Sequence, residues 1–288
     1  MDVGINFNGD QSFAEITEGA KQAEQLGYSD IWVGESIEFN HPFPIITAIA
    51  DATAGLRVGS GIISYFFNHP LHIKKAFETL VEAYGNRFVI ALAPGDLNSL
   101  KIAGIDASKP LKKLEQTIVE LRASEVLADT PIYVGASGPR MIELGSRLAD
   151  GVLLNYVHPE YVEWALEHIA LETYVGVYAP ALLTPDPVNE RSALIAASYV
   201  AAGANKAFQE EFGLIDFVDE IREILRDKRF SELGKHGDFL TSRFLISGDE
   251  KTLQKRMNEF KKMSIDQVIL GSPFCYNIKS VKAIGRVL

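Results

Sequence analysis

The chain has 288 residues, of which 47% are hydrophobic and 23% charged, a balance that buries a large core and excludes a disordered tail protein. Its 28 basic and 38 acidic residues give a net charge of −10, which repels nucleic-acid phosphates and anionic lipid surfaces, so neither is expected as a partner. Cys275 is the one cysteine, so no internal disulfide forms; with no basic, apolar leader after Met1 and no apolar run near the roughly 18 residues of a membrane span, a cytoplasmic protein is expected.

Short β-branched runs alternate with helical periods along the chain, the grammar of parallel strands joined by crossover helices. Val3 to Phe7 reads as a strand. Ser12 and Glu15 then form a capping box, Ile16, Ala20, Ala23 and Leu26 recur at helical spacing, and Gly27 stops the turn. Strands follow at Asp30 to Val33, Leu56 to Ile62 and Arg87 to Ala93, with helices around Ile45 to Ala52 and Ile73 to Tyr84 between them. A helix over Leu111 to Leu127 leads to strand Ile132 to Gly135, helix Pro139 to Ala149, strand Gly151 to Asn155, helix Pro159 to His168 and strand Tyr174 to Ala179. The segment from about 184 to 243 breaks the rhythm with the turn Thr184-Pro185-Asp186-Pro187 and several helical stretches, and reads as an insertion. The pattern resumes at Phe244 to Gly248, with Ser247 and Glu250 as a second capping box, and an eighth strand at Gln267 to Gly271. Eight βα units predict an α/β fold, a (β/α)8 TIM barrel in one domain with a helical insertion between strands 7 and 8; an open doubly wound sheet would show similar local alternation.

In such a barrel, chemistry gathers at the C-terminal ends of the strands. Those positions hold Asn6 and Asn8, Glu35 and Ser36, Ser60 to Ser64, Asp96, Ser137, Asn155 and Ser272, so Glu35 and Asp96 are two carboxylates among neutral hydrogen-bonding groups. Gly135-Ala136-Ser137-Gly138-Pro139-Arg140 follows a strand and opens a helix, with Pro139 suited to the first helical position. Unpaired helix N-terminal amides there attract an anion, and Arg140 could add countercharge; the same residues also suit a plain tight turn. The loop lacks the Lys-Ser/Thr of a phosphate-binding P-loop and the dinucleotide glycine spacing. His69 and His72 flank Pro70 with no matching ligand cluster and read as structural, so no metal is expected.

The chain resembles the bacterial luciferase-like superfamily, and within it the deazaflavin-dependent methylenetetrahydromethanopterin reductases of archaea. The resemblance rests on Gly59-Ser60-Gly61-Ile62, on Ala93-Pro94-Gly95-Asp96, on Pro131 to Met141 running into Leu148 to Asn155, and on Ile246-Ser247-Gly248 with Val268 to Pro273. It implies coenzyme F420 across the barrel mouth, its phosphate near Gly135, Ala136, Ser137 and Gly138, and Ser60, Gly61, Ile62 and Asn155 also against the coenzyme. It implies a non-prolyl cis peptide near Gly61 and Ile62, a hydride passed to a small or pterin-like acceptor, and a homo-oligomer. Asp96 and Glu35 are the expected catalytic carboxylates, and Asn6 and Ser36 the expected substrate contacts.

Several mouth positions depart from those reductases. Asn6 stands where they carry Glu, an amide that cannot act as a general acid. Glu35-Ser36 replaces Asp-His, Ser137 replaces Gln, Asn68-His69 replaces Arg-Asn, and the stretch from Leu127 to Pro131 is short. The alternatives are an FMN-dependent luciferase-like monooxygenase and a barrel that binds ligand without catalysis.

Overall fold

The computed structural model describes residues 1–285. Its strands are β1 (Asp2–Phe7), β2 (Asp30–Val33), β3 (Arg57–Ser64), β4 (Phe88–Ala93), β5 (Ile132–Ala136), β6 (Gly151–Leu154), β7 (Tyr174–Leu183), β8 (Ile246–Gly248) and β9 (Gln267–Gly271). Each of β1 to β7 pairs in parallel with the next, and β9 pairs with both β7 and β1, which closes an eight-stranded barrel. The strand at Ile246–Gly248 is extra to the barrel: it pairs with Ala181–Leu183, where β7 runs past the expected end at Ala179.

Helices α1 (Phe13–Gln25), α2 (Pro42–Ala52), α3 (Pro70–Tyr84), α4 (Leu97–Ile102), α5 (Pro110–Arg122), α6 (Pro139–Leu148) and α7 (Pro159–Leu166) fill the crossovers. The insertion holds α8 (Glu190–Ala202), α9 (Lys206–Glu211), α10 (Ile215–Arg226) and α11 (Gly237–Phe244); α12 (Glu250–Lys262) and α13 (Ile278–Gly285) complete the chain. Ser12 and Glu15 form the expected capping box. The second expected box does not form: Asp249 caps α12 by accepting from the amide of Thr252, because a carboxylate one residue before the helix satisfies the same orphan donor. Helix α4 lies outside the elements the periodicity predicts, and α5 ends at Arg122 instead of Leu127. His41 and His69 cap α2 and α3 through ring nitrogens, which gives His69 its structural role.

The barrel interior is plugged by Trp32, Val89, Ala91, Tyr133, Leu153 and Ile269, with Ile62, Tyr174 and Tyr178 against them. The rings fit because glycines stand opposite. A Cβ on Gly4 would lie 3.0 Å from the indole Nε1 of Trp32, one on Gly151 would lie 2.8 Å from Tyr133, and one on Gly176 would lie 2.6 Å from Leu153. Below this plug, at the N-terminal ends of the strands, the fully buried Asp30 carboxylate receives the Arg57 guanidinium and the Gln267 amide, so the buried charge is paired. The opposite faces of the strands, including Ile5, Ile31, Val58, Ile90, Val134, Val152 and Val177, pack under the helices. Among the described residues, the lower part of the barrel is therefore filled by side chains.

Candidate active site at the barrel mouth

Continuing the inward alternation one step above the plug gives the mouth: Asn6, Gly34, Gly61, Ala93, Gly135, Asn155, Tyr178 and Gly271, one from each barrel strand or its immediate extension. The half from β2 to β5 carries almost no side chain. Between Ser60 and Ile63 the pairing of β3 with β4 slips by one residue, and the Gly61–Ile62 peptide is cis, as the resemblance implied. The bulge turns Ile62 inward as well: its Cγ2 lies 2.8 Å from where a Gly135 Cβ would stand. Gly61, Ile62 and Gly135 thus come together as an apolar shelf.

Two expected coenzyme contacts are corrected. Ser60 is fully buried on the helix side of β3, where its hydroxyl donates to the Ala91 carbonyl at 3.2 Å and accepts the Ala91 amide at 3.0 Å. It mends the ladder that the bulge breaks and does not reach the mouth. The Ala136 methyl also faces the helices, within the outer core, so only its backbone is available to a ligand.

The half from β6 round to β1 is polar. The buried Asn6 amide donates to Asn8 Oδ1 at 2.8 Å, and Asn8 Nδ2 donates to the Ser272 hydroxyl at 3.0 Å, which leaves Asn6 Oδ1 buried without a partner among the described residues. Asn155 Oδ1 is orphaned in the same way. An unpaired buried carbonyl costs about 1–3 kcal/mol, so these two oxygens at the ends of β1 and β6 mark positions where a donor would be repaid. Between them Tyr178 lays its hydroxyl over Gly271, 2.5 Å from the position a Cβ there would take. Burial, then the Cys275 thiol and the Asp10 carboxylate, hold the Tyr178 phenol far above its ordinary range, so it stays a donor.

The glycine loop after β5 opens α6 with Gly138 at the cap and no side chain on its amides. Pro139 has no N–H, and the Arg140 amide lies in the first turn, where no intrahelical acceptor exists. The loop is held from two sides: the Tyr156 hydroxyl donates to the Ser137 carbonyl, while the insertion packs on it, with Ser137 Oγ 3.5 Å from the Gly203 carbonyl and the Asn205 side chain against Gly138. Arg140 is exposed and lines the outer groove between α5 and α6 with Lys112, Glu115 and Arg147.

The two carboxylates take different places. Glu35 is half-buried; its Oε2 accepts the Ser64 amide at 2.6 Å and its Oε1 the Asn68 side chain at 2.8 Å. Ser64 in turn donates from Oγ to the Pro94 carbonyl at 2.5 Å, so one carboxylate ties the loops after β2, β3 and β4 together. Desolvation outweighs these hydrogen bonds and raises the Glu35 pKa above the usual carboxylate range. Asp96 stands exposed on the rim, capping α4 by accepting the Ser99 amide at 2.7 Å. Tyr199, from α8 of the insertion, comes near enough to Glu38 and Asp96 for both charges to join burial in raising its pKa. The Ser36 hydroxyl accepts the Glu38 amide within its own loop.

The profile of the luciferase-like monooxygenase family matches residues 1–124 and 117–267. The chain belongs to that family. It is 28% identical over 328 residues to 5,10-methylenetetrahydromethanopterin reductase of Archaeoglobus fulgidus, an alignment covering 99% of this chain and 98% of that one. It is 27% identical over 322 residues to the enzyme of the same name from Methanolobus tindarius, with 99% of each chain covered. Among solved structures, the coenzyme F420-dependent tetrahydromethanopterin reductase from Methanopyrus kandleri superposes with a TM-score of 0.87 at 22% identity, covering 99% of this chain and 97% of that one. An F420-dependent secondary alcohol dehydrogenase superposes with a TM-score of 0.73 at 16% identity, covering 100% and 98%.

Within this luciferase-like barrel, several mouth residues were invisible to motif reading. Tyr178 could have been found from the alternation Tyr174, Gly176, Tyr178 in β7. Tyr156, Asn205 and Tyr199 carry no local signal, since each reaches the site through contacts far away in sequence. No described helix is long and apolar enough to cross a membrane.

Proposed function

We propose that the protein is a coenzyme F420-dependent oxidoreductase that transfers a hydride between the deazaflavin and a small or pterin-like acceptor, as a methylenetetrahydromethanopterin reductase does. The observation that carries this reading is the mouth itself: a shelf of Gly34, Gly61, Gly135 and the small Ala93 with Ile62 upon it, and two orphaned amide oxygens at Asn6 and Asn155 on the other half of the rim. A flat heterocycle with a polar edge satisfies both features, and full-length relatives named for this reductase activity support the choice.

The coenzyme, when bound, supplies a two-electron hydride donor, which leaves the protein to position it and to exclude water. Ile62 and Gly135 would bear one face of the ring, and Asn6, Tyr178 and Asn155 its polar edge. The Gly138 and Arg140 amides at the start of α6 would receive an anionic tail through unpaired N–H groups and the positive end of the helix dipole. Asp96, on the rim opposite Tyr199, is the carboxylate placed to meet an acceptor arriving from solvent. Glu35 acts one step back, fixing Ser64 and through it the turn Pro94-Gly95 that presents Asp96. Asn6 holds the acid position as a hydrogen-bonding amide and moves no proton. The same reading places the protein in the cytoplasm as a homo-oligomer.

Titration of the apoprotein with oxidised F420 and with FMN, followed by fluorescence and calorimetry, tests the proposal. Micromolar or tighter binding of F420, with FMN much weaker, is the expected result. Tight FMN binding with F420 ignored would replace it with the monooxygenase reading, and indifference to both would leave a barrel without this chemistry.

A further inference from the structure

The polar arc of the mouth has an order. From β6 to β1 it runs through an acceptor at Asn155 Oδ1, a donor at the Tyr178 hydroxyl, which fills the space in front of Gly271 on β9, and an acceptor at Asn6 Oδ1. The Asn6 orientation is fixed by its donation to Asn8, whose own amide is committed to Ser272. Among the described residues no carboxylate lies within hydrogen-bond reach of the Tyr178 phenol; the nearby Asp10 carboxylate is engaged by Tyr276 at 2.5 Å. An arc that reads acceptor, donor, acceptor complements a ligand edge that reads N–H, C=O, N–H.

We propose that this arc recognises the pyrimidinedione edge of the deazaflavin and prefers its reduced form. The inference rests on the F420 reading above. Two-electron reduction adds a hydride at the ring carbon and a proton at N1, so the edge N1–H, C2=O, N3–H exists only after reduction. In the oxidised ring N1 is a lone-pair acceptor. One of the two asparagine oxygens then faces another acceptor, with its burial still unrelieved, while the contacts to C2=O and N3–H persist. The reduced ring makes three hydrogen bonds where the oxidised ring makes two and meets one repulsion. The departure at position 6 acquires a reason on this view: a carboxylate could serve either ring by changing protonation, whereas an amide held by Asn8 cannot adapt.

The test is equilibrium binding of oxidised F420 and of reduced F420 under anaerobic conditions, at mildly acidic pH so that N1 of the reduced ring keeps its proton. The intact protein is expected to bind the reduced form about tenfold more tightly, which for a two-electron couple raises the bound potential by about 30 mV. Of Asn6→Leu and Asn155→Leu, one removes the preference by restoring affinity for the oxidised ring, and the other weakens both forms alike. Tyr178→Phe weakens both alike and keeps the ratio. Equal affinities in the unsubstituted protein, a measurement that needs no variant, overturn the inference, as does a ratio that survives both asparagine substitutions. If Asn6→Leu leaves both coenzyme affinities intact and weakens only binding of methylenetetrahydromethanopterin, the arc serves the acceptor and the inference fails while the F420 reading stands. Absence of binding by either redox form removes the F420 reading itself.

Discussion

Replacing Gly138 with alanine puts one methyl group between the anion loop and the insertion, and the structure sets the size of the consequence. The backbone at Gly138 is extended, with φ −126°, so alanine is unstrained there and would by itself stabilise by about 0.4–1 kcal/mol through the unfolded chain. Its Cβ would stand 2.5 Å from Asn205 Nδ2 and 2.7 Å from Asn205 Cγ, well inside contact, so Asn205 must move. That side chain is not free to leave: its Oδ1 caps α9 by accepting the Ala207 amide at 2.9 Å. Loss of the cap costs about 1 kcal/mol, and a distorted rotamer about 0.5–1.5 kcal/mol. The costs exceed the entropic gain, and Gly138→Ala should destabilise by roughly 1 kcal/mol, a fall in Tm of about 1.5–2 °C for a chain of 288 residues. Asn205→Ala alone loses the cap and costs about 1 kcal/mol. In the double variant the clash has gone, so adding alanine at 138 becomes neutral or stabilising, and the coupling between the sites is about 1 kcal/mol. Thermal or denaturant unfolding of the four proteins measures the cycle, and F420 titration of the same set reads the loop, with weaker binding expected only for Gly138→Ala against an intact Asn205. Additive effects would show that the insertion does not brace the loop.

Ser60→Ala strips partners from the amide and carbonyl of Ala91 inside the bulge and should cost about 1–3 kcal/mol, while coenzyme affinity stays within about twofold; a large loss of affinity with unchanged stability would return Ser60 to the ligand shell. Because burial raises the Glu35 pKa in the folded state, its contribution to stability is fully present below the unfolded value of about 4.3 and is lost as pH rises through the folded value. Glu35→Gln should therefore gain in Tm relative to the unsubstituted protein across that window, and a gap widening the other way as pH rises would contradict the assigned shift. Asp96→Asn preserves a good helix cap and should leave Tm unchanged, so a fall in turnover isolates a role for the charge, whereas full activity dismisses Asp96 from the chemistry.

The βα order was legible because each element announces itself locally. The Ser12 and Glu15 capping box, the glycine after α1, and proline at the first position of α6 depend on residues within one or two turns of one another. Counting eight such units favoured a closed barrel over an open sheet with the same local alternation, and the shelf residues Gly61, Ile62 and Gly135 came from motif resemblance. What the chain could not reveal locally is which way a strand residue faces. In a parallel barrel both faces are buried, one against the plug and one against helices, so hydrophobicity does not separate Ser60 from Gly61 or Ala136 from Gly135. The bulge between Ser60 and Ile63 then shifts the parity of β3, so counting residues from the strand's start misassigns its end.

The remaining decisions needed three dimensions because their partners are far apart in the chain. Glu35 reads from sequence as a free carboxylate at a strand end, yet folding delivers the Ser64 amide and Asn68 to it and makes it a tie between loops. Asn205 and Tyr199 belong to an insertion with no motif, yet they arrive at the glycine loop and the rim. The amino-acid order by itself determined most of the βα elements and the family, since periodicity, caps and motifs are short-range properties. Only the tertiary structure decided which polar atoms stay unpaired at the mouth, because satisfaction of a hydrogen bond depends on what packs against the atom and not on its neighbours in the chain.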